Sequence, residues 1–433
     1  MVVTMNEVSN IHQIDHICVT LDQFKDYYLE HNYNENMFNS DGSLNARYNS
    51  NKKTGLIAKI MDDHWNNYYN SNKEKVDKYR PNANNEILKI IDCYNKNLGC
   101  SVHECPNCHD YIFIGHTCKS RMCSSCGYKY KSERVENILE TAYNCKHRQI
   151  VFTIAKELRP LFFYPFESRI NILFKAVELT IYSILNEKFK NTKTKGKRKY
   201  KSKTKYTPGF FLFLHTFGRD LKWNPHIHAL VAEIKLGGNM VYKNWNYFNY
   251  DALSKRFQKI LLDLLSKELG KDFSNFKRKC FLNHKNGFYV YAEPKKFKSI
   301  KQGVEYVTRY CGRVAISENR VLNYDGENVT FCYNDHVDGS YHEITCTAFE
   351  FIEMLLRHLV PSNFKIIRYC GFYRKKHENH DKMVMLIDKT KHQIRRTFMK
   401  HRLSILKAFN VDPFSCPKCN TRMVYVCDIL KGG

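Results

Sequence analysis

Two Cys-x-x-Cys motifs in the first third of the chain constrain its fold more than any other feature. Cys105-Pro-Asn-Cys108 and Cys123-Ser-Ser-Cys126 are separated by 14 residues. Each motif can turn both of its sulfurs toward one ion, and two such motifs supply the four thiolates of a tetrahedral zinc site. The spacing therefore predicts a structural zinc (Zn²⁺) held by these four cysteines in a module over residues 91–135. Because a four-thiolate site has no open position, its predicted role is to fold this module.

Further cysteines leave the number of ions open. Cys93 and Cys118 lie close enough in sequence to replace a ligand or to bind a second ion. Cys416-Pro-Lys-Cys419, near the end of the chain, is half of a zinc site and needs ligands from elsewhere. The alternative is that these cysteines are free thiols in a core, which fits poorly with the Pro, Asn and Gly residues beside the motifs.

The basic charge of the chain favours a nucleic-acid partner. Its 69 Lys and Arg residues outnumber 43 Asp and Glu residues and give a net charge of +26. Residues 188–205 contain ten Lys or Arg and no acid, and we expect a flexible loop there whose Lys197, Arg198 and Lys199 contact phosphates. Arg121, beside the cysteine motifs, is predicted to contact DNA as well. The alternatives are a compositional bias toward Lys, Asn and Tyr, and a basic loop that is merely solvated.

No apolar run reaches the roughly 18 residues that a membrane-spanning helix needs, and the N-terminal residues lack a signal-peptide pattern. From this pattern we expect a soluble intracellular protein that is not associated with a membrane.

A histidine pair marks a second candidate metal site. His226-Ile-His228 lies in a strand-like run, where residues two apart point to the same face. His215 lies on the preceding strand-like run, across a predicted reversal, so a hairpin could bring three imidazoles together. Three neutral ligands would leave a divalent ion free to bind a phosphate oxygen. The motif alone is weak evidence, because 19 histidines in this chain give about one such pair by chance.

A tyrosine pair follows on a helical pattern. Tyr306 and Tyr310 are four residues apart and would share one face of a helix, where two phenols could attack two phosphodiesters in turn. Arg309 and Arg313 beside them are candidate phosphate contacts. The alternatives are an aromatic stripe that packs in the core and arginines that only keep the helix soluble.

The order of strand-like and helical segments predicts an α+β fold. The segments "FFLFLHTF" and "HIHALVAEI" have strand patterns, and "YDALSKRFQKILLDLLSKEL" is an amphipathic helix. We expect a helical leader over residues 1–90, a central domain over 146–375, and a basic helical tail over 376–433 that ends in the third cysteine motif.

This arrangement resembles the two-tyrosine HUH transposases of rolling-circle insertion sequences, of the insertion-sequence-ninety-one type. The resemblance rests on "LHTFGRDLKWNPHIHALV", "YVTRYCGRVAISENRV", "FIEMLLRHLVPSNFKIIRYCGFY" and the terminal "CPKC". It implies an HUH-type nuclease domain, in which helices flank an antiparallel sheet, together with an N-terminal zinc-binding module.

The resemblance also implies a chemistry. His226 and His228 match the metal-binding histidines of HUH nucleases, and His215 is assigned as the third ligand by its position; the implied ion is Mg²⁺ or Mn²⁺. Tyr306 and Tyr310 would form 5′-phosphotyrosine links to single-stranded DNA at element ends and to target DNA, releasing a free 3′-OH. The implied activity is that of a metal-dependent tyrosine DNA endonuclease and strand transferase, and the implied location is the bacterial cytoplasm, in association with the nucleoid.

Two alternatives remain at this point. A plasmid relaxase or rolling-circle replication initiator would use the same HUH chemistry. A zinc-ribbon DNA-binding regulator would use the cysteine motifs and perform no catalysis.

Overall fold

The computed structural model describes residues 18–19, 55–93, 98–143, 145–185, 206–237, 242–245, 248–291, 304, 315–335, 338–374 and 414–430. The helices of this part of the chain are α1 (Leu56–Tyr79), α2 (Ala83–Ile91), α3 (Ser124–Thr141), α4 (Phe166–Leu185), α5 (Tyr250–Leu269), α6 (Phe273–Asn283) and α7 (Ala348–Leu356), with 3-10 helices at Lys156–Phe162 and Glu318–Arg320. The strands are β1 (Cys18–Val19), β2 (Cys100–Glu104), β3 (Tyr111–Gly115), β4 (His147–Thr153), β5 (Thr207–Phe217), β6 (Trp223–Leu236), β7 (Tyr242–Asn244), β8 (Val290–Tyr291), β9 (Val321–Tyr324), β10 (Asn328–Asn334), β11 (Tyr341–Thr347), β12 (Ile367–Gly371) and β13 (Val424–Ile429).

A six-stranded antiparallel sheet lies at the centre of the fold. Its strand order is β12-β5-β6-β4-β8, and β7 pairs with the end of β6. The long β5–β6 hairpin is buried over most of its length because its apolar residues are not confined to one face. Side chains alternate along a strand, so Phe210 and Leu212 face one side of the sheet while Phe211 and Phe213 face the other.

Helices cover both sides of this sheet. On the first side, α4 and α5 pack against Phe210 and Leu212 in the largest core cluster. On the second side, Ile138 of α3 and the isolated helical residue Val304 pack against Phe211 and Phe213. The sheet is therefore the middle layer of three, which fixes its side chains in place.

A smaller sheet, β9–β11, forms a second unit with helices α1, α2 and α7. Trp65 of α1 and Phe351 of α7 share a core with Phe331 of β10. Helix α7 begins at a capping box in which Thr347 accepts a hydrogen bond from the Glu350 amide and the Glu350 carboxylate accepts one from the Thr347 amide.

A four-stranded sheet of order β1-β13-β2-β3 joins the two ends of the chain. The C-terminal strand β13 pairs antiparallel with β2, and the two residues of β1 pair parallel with β13. Strand β13, which follows the C-terminal cysteine motif, therefore belongs to the same sheet as the hairpin of the cysteine module.

The predicted α+β class is confirmed, as is the β5–β6 hairpin. The expected leader, residues 1–90, contains the helix α1 and most of α2, which pack on the central part of the chain, but also the two-residue strand β1. The basic run 188–205 and residues 376–413 of the expected helical tail lie outside the described residues. Among the described helices, none is long and apolar enough to span a membrane.

Candidate active site and cysteine clusters

The three predicted histidines meet on the second side of the central sheet. His215 of β5 lies directly opposite His226 of β6, and His228 lies one same-face position further along β6. The ring centroids of His215 and His228 are 4.0 Å apart, and those of His226 and His228 are 5.0 Å apart. One nitrogen from each ring can be chosen so that all three lie within 4.8 Å of one another. The hairpin geometry inferred from the sequence is therefore present.

Burial keeps these imidazoles neutral. Burial, with a contribution from the Arg159 charge, lowers the pKa of His226 to about 4. Burial together with the neighbouring imidazoles holds the pKa values of His215 and His228 well below the ordinary value. Neutral imidazole is the form that binds a metal ion, so the rings are ready for a cation at physiological pH.

Hydrogen bonds fix the orientation of two of the rings. The Nδ1–H of His226 donates to the Asn224 carbonyl oxygen at 2.7 Å, which leaves Nε2 with its lone pair. The Nδ1 atom of His228 lies 2.7 Å from the side-chain amide of Gln149 on β4. Among the described residues the buried Oε1 of Gln149 has no hydrogen-bond partner. A 180° turn of the amide would let Oε1 accept from Nδ1–H and leave Nε2 of His228 for a metal.

This donor set fits a divalent cation. Three neutral imidazoles converge from one sheet face; His226 is held in the tautomer that leaves Nε2 available, and a turned Gln149 amide would hold His228 in the same tautomer. Sequence reasoning missed Gln149. Its position follows from the register of β4 against β6: Val151 lies opposite His228, and Gln149 is the next residue of β4 on the same face. No local sequence pattern indicates that register.

The predicted nucleophile segment lies outside the described residues, including Tyr306, Tyr310, Arg309 and Arg313. Its nearest described neighbour is Val304, which is fully buried against the sheet side that carries the histidines.

Cys93, Cys118, Cys123 and Cys126 form the first of two cysteine clusters. The Sγ atoms of Cys126 and Cys93, and of Cys126 and Cys118, are 3.5 Å apart, and those of Cys123 and Cys93 are 3.7 Å apart. A tetrahedron with Zn–S bonds of about 2.3 Å has S–S edges of about 3.8 Å, whereas a disulfide measures about 2.05 Å. The spacing fits four ligands around one zinc ion.

Cys105, Cys108, Cys416 and Cys419 form the second cluster. The Sγ atoms of Cys105 and Cys419, and of Cys108 and Cys416, are each 3.5 Å apart. The two motifs share a backbone conformation, since the residue after each one has a positive φ, 52° at His109 and 58° at Asn420. The pKa of Cys419 is lowered to about 6 by its hydrogen bond to Thr421, which favours the thiolate that zinc requires.

The grouping that we predicted for the cysteines was therefore wrong. The motif at Cys105 and Cys108 does not share a site with the motif at Cys123 and Cys126; the pairing of β13 with β2 brings it to the C-terminal motif instead. Cys93 and Cys118, expected only as possible extra ligands, complete the first cluster. Cys427, the nearest cysteine in sequence to the C-terminal motif, is in neither cluster.

The predicted DNA contacts are placed in part. Arg121 donates a hydrogen bond from Nη2 to the Phe364 carbonyl at 3.0 Å and lies over the ring of Tyr130, so it also links the cysteine module to the central domain. Lys197, Arg198 and Lys199 lie outside the described residues.

Comparison with known proteins gives two family matches. A family described as a transposase zinc-binding domain matches residues 60–154, and a family described as a putative transposase matches residues 209–381. The transposase for insertion sequence element IS801 of Pseudomonas savastanoi pv. phaseolicola is 28% identical over 367 residues, which cover 79% of this chain and 83% of that protein. The putative transposase y4qJ of Sinorhizobium fredii is 26% identical over 312 residues, which cover 67% of this chain and 74% of that protein. No solved structure matches.

The matched segments coincide with the features described above. Residues 209–381 contain the three histidines on an antiparallel sheet flanked by helices, as expected of an HUH-type domain, and residues 60–154 contain the whole first cysteine cluster. Helices α1 and α2 fall largely within the residues that match the zinc-binding family. The chain belongs to the insertion-sequence-ninety-one family of transposases.

Proposed function

We propose that this transposase cleaves and joins single-stranded DNA at element ends through 5′-phosphotyrosine links made by Tyr306 and Tyr310. The reaction takes place beside a divalent cation, Mg²⁺ or Mn²⁺, bound by His215, His226 and His228. The observation that carries the proposal is the convergence of three neutral imidazoles on one sheet face. Family membership favours this function over a relaxase, a replication initiator or a non-catalytic regulator.

The position of Val304 supports the assignment of the tyrosines. Val304 packs on the histidine side of the sheet against Phe211 and Phe213. Tyr306 follows two residues later, so its Cα can be no more than about 7 Å from that of Val304. Tyr310 would lie one helical turn beyond Tyr306 if the predicted helix forms. The chain connectivity thus allows both phenols to reach the sheet face that carries the metal ligands.

The roles of the residues follow from this arrangement. A divalent cation at the three imidazoles would polarise the scissile phosphate. The Tyr306 or Tyr310 oxygen attacks phosphorus, the P–O3′ bond breaks, and the proton lost by the phenol is balanced by the one gained at the 3′ oxygen. The new phosphotyrosine bond preserves the energy of the phosphodiester, so a 3′-OH of a second strand can reverse the step without ATP. Arg309 and Arg313 contact the phosphates in this proposal.

Each cysteine cluster holds one zinc ion in this proposal. The first joins the end of α2 to the start of α3, and the second fastens the C-terminal strand β13 to the β2–β3 hairpin. Neither cluster leaves an open ligand position, so both ions are structural. Arg121, Lys197, Arg198 and Lys199 are assigned to the DNA backbone.

A covalent-adduct assay tests the proposal. Wild-type protein incubated with labelled single-stranded element-end DNA and Mn²⁺ should form an SDS-resistant adduct. Replacing both tyrosines (Tyr306→Phe with Tyr310→Phe) should abolish the adduct and leave binding intact, and His226→Ala should abolish it as well. An adduct that survives in the double variant would refute the assignment. Excision of a flanked element in cells would separate a transposase from a replication initiator.

A further inference from the structure

A pocket of about 520 Å³ opens at the start of β6, beside the 3-10 helix Lys156–Phe162 and the C-terminal end of α1. Aromatic rings supply much of its wall, namely Tyr68, Tyr79, Phe163 and Trp223. Phe163 and Trp223 meet edge to face with ring centroids 5.4 Å apart, and the Trp223 indole N–H donates to the Arg159 carbonyl at 2.9 Å. The indole is thereby fixed in place in the pocket wall.

Basic side chains surround these rings. Six cations line the pocket against one carboxylate, Glu353; they are Lys75, Arg80, Lys156, Arg159, Lys222 and Arg357. Glu353 forms ion pairs with Lys75 at 3.0 Å and with Arg357 at 3.2 Å. Lys222 pairs with Asp220. Within the described part of the chain, Lys156 and Arg159 have no carboxylate partner.

The Arg159 guanidinium has one donor group that lacks an acceptor among the described residues. Its Nε–H is buried and has no acceptor among the described residues. A buried donor of this kind costs stability unless an acceptor reaches it, and phosphate is a preferred acceptor for a guanidinium.

The pocket is close to the candidate active site. Trp223 lies three residues before His226 on the same strand, about 10 Å along β6, and its ring packs against the core on the first side of the sheet, so the pocket opens beside the start of β6 and not on the histidine face itself. The backbone carbonyl that orients His226 belongs to Asn224, the residue next to Trp223. A strand of nucleic acid with one phosphate at the histidines can place a neighbouring nucleotide at this pocket.

We propose that the pocket binds one nucleotide of single-stranded DNA close to the scissile phosphate. The base enters the aromatic pocket, and a phosphate lies between Lys156 and Arg159. Charge complementarity favours this occupant over an apolar peptide, and an unpaired base is needed because a paired base cannot leave its stack at low cost. The proximity to the cleaved bond rests on the proposed function, whereas the nucleotide-binding role does not.

Tryptophan fluorescence tests the proposal directly. The chain has three tryptophans, and Trp65 and Trp245 are 1% and 8% exposed, so Trp223 in the pocket is the one that a ligand can reach. The protein with Tyr306→Phe and Tyr310→Phe is titrated, without divalent metal, with an oligothymidylate of about 12 nucleotides. Quenching should accompany binding, and Trp223→Phe should remove the quenching. Quenching that persists in Trp223→Phe, or binding without quenching, would overturn the proposal.

Binding measurements provide a second test. Phe163→Ala should weaken oligothymidylate binding about tenfold, since stacking on one aromatic ring contributes about that factor. Lys156→Gln, an exposed change with little risk to folding, should reduce the slope of log Kd against log salt by about 0.7. The matched controls Tyr341→Ala and Lys285→Gln, exposed residues away from the pocket, should bind like the parent. Equal affinities in Phe163→Ala and Tyr341→Ala, in a folded protein, would overturn the proposal.

The design separates this proposal from the proposed function. The binding assays use protein without the two tyrosines and without divalent metal, so they do not require cleavage. Quenching with no covalent adduct in the wild type would support the pocket and refute the phosphotyrosine chemistry. A covalent adduct in the wild type without tryptophan quenching would support the phosphotyrosine chemistry and refute the nucleotide-binding pocket. A fully paired duplex should not quench, and quenching by the duplex would refute the need for an unpaired base.

Discussion

The side-chain amide of Gln149 lies 2.7 Å from Nδ1 of His228, across the pairing of β4 with β6. This contact fixes the ring of a candidate metal ligand from a strand that contributes no ligand itself. Residues in such positions set both the tautomer and the basicity of a histidine ligand.

Gln149→Ala should weaken Mn²⁺ binding at the three histidines by about 10- to 100-fold, because His228 would lose the partner that orients it. Gln149→Glu is the matched control, since a carboxylate accepts from Nδ1–H as well and should retain most of the affinity. Calorimetric titration of Mn²⁺ into each variant measures the difference. Equal affinities for Gln149→Ala and the parent would show that the contact does not tune the site.

The zinc content should be two ions per chain, one for each cysteine cluster. Cys416→Ser should reduce the content to one, although the altered cysteine is 308 residues in sequence from Cys108, whose Sγ lies 3.5 Å from its own. Cys332→Ser, in neither cluster, should leave two ions. Elemental analysis of purified protein counts them. A wild-type value of one, or no loss in Cys416→Ser, would contradict the assignment.

Acid should destabilise the fold through its buried histidines. Burial lowers the pKa of His358 to about 4, and this ring is held by Thr216 and by the Leu221 carbonyl. Above about pH 6.5 the His358 ring is neutral in both the folded and the unfolded protein. As the pH falls from about 6.5 to 4, the ring binds a proton in the unfolded protein but stays neutral in the folded one. The contribution of His358 to stability should therefore fall by about 3 kcal/mol over that window.

Denaturant unfolding at several pH values measures this loss. His358→Gln should flatten the pH dependence, and His342→Gln, at an exposed position on β11, should not. An identical pH dependence in His358→Gln and the parent would contradict the account.

The close approach of β5 and β12 requires glycine. Gly371 has φ +61°, and a Cβ there would lie 1.7 Å from the Pro208 carbonyl oxygen. Gly371→Ala should lower the free energy of unfolding by more than about 3 kcal/mol, because backbone must move. Gly339→Ala, at φ +75° with open space around it, should cost only about 1 kcal/mol. Thermal unfolding compares the two, and a smaller effect at Gly371 than at Gly339 would contradict the structure.

The sequence predicted what depends on local geometry. The three histidines required only the alternation of a strand and one reversal, and they were found. The cysteine grouping depended on the contact between β13 and β2, which joins distant parts of the chain, whereas spacing alone favours the nearest motif. Gln149 gave no signal because its role follows from the register of two strands. The basic and aromatic pocket draws on four separate segments, so no single stretch of sequence indicates it.

The most direct test of the central claim is to identify the residue that becomes linked to DNA. The wild-type protein is incubated with single-stranded element-end DNA and Mn²⁺, the DNA is digested, and the peptides are analysed by mass spectrometry. We predict a 5′-phosphonucleotide on Tyr306 or Tyr310. A nucleotide on another residue, for example the exposed Tyr289 or Tyr291 at the β8 edge of the central sheet, or no linked peptide at all, would contradict the account.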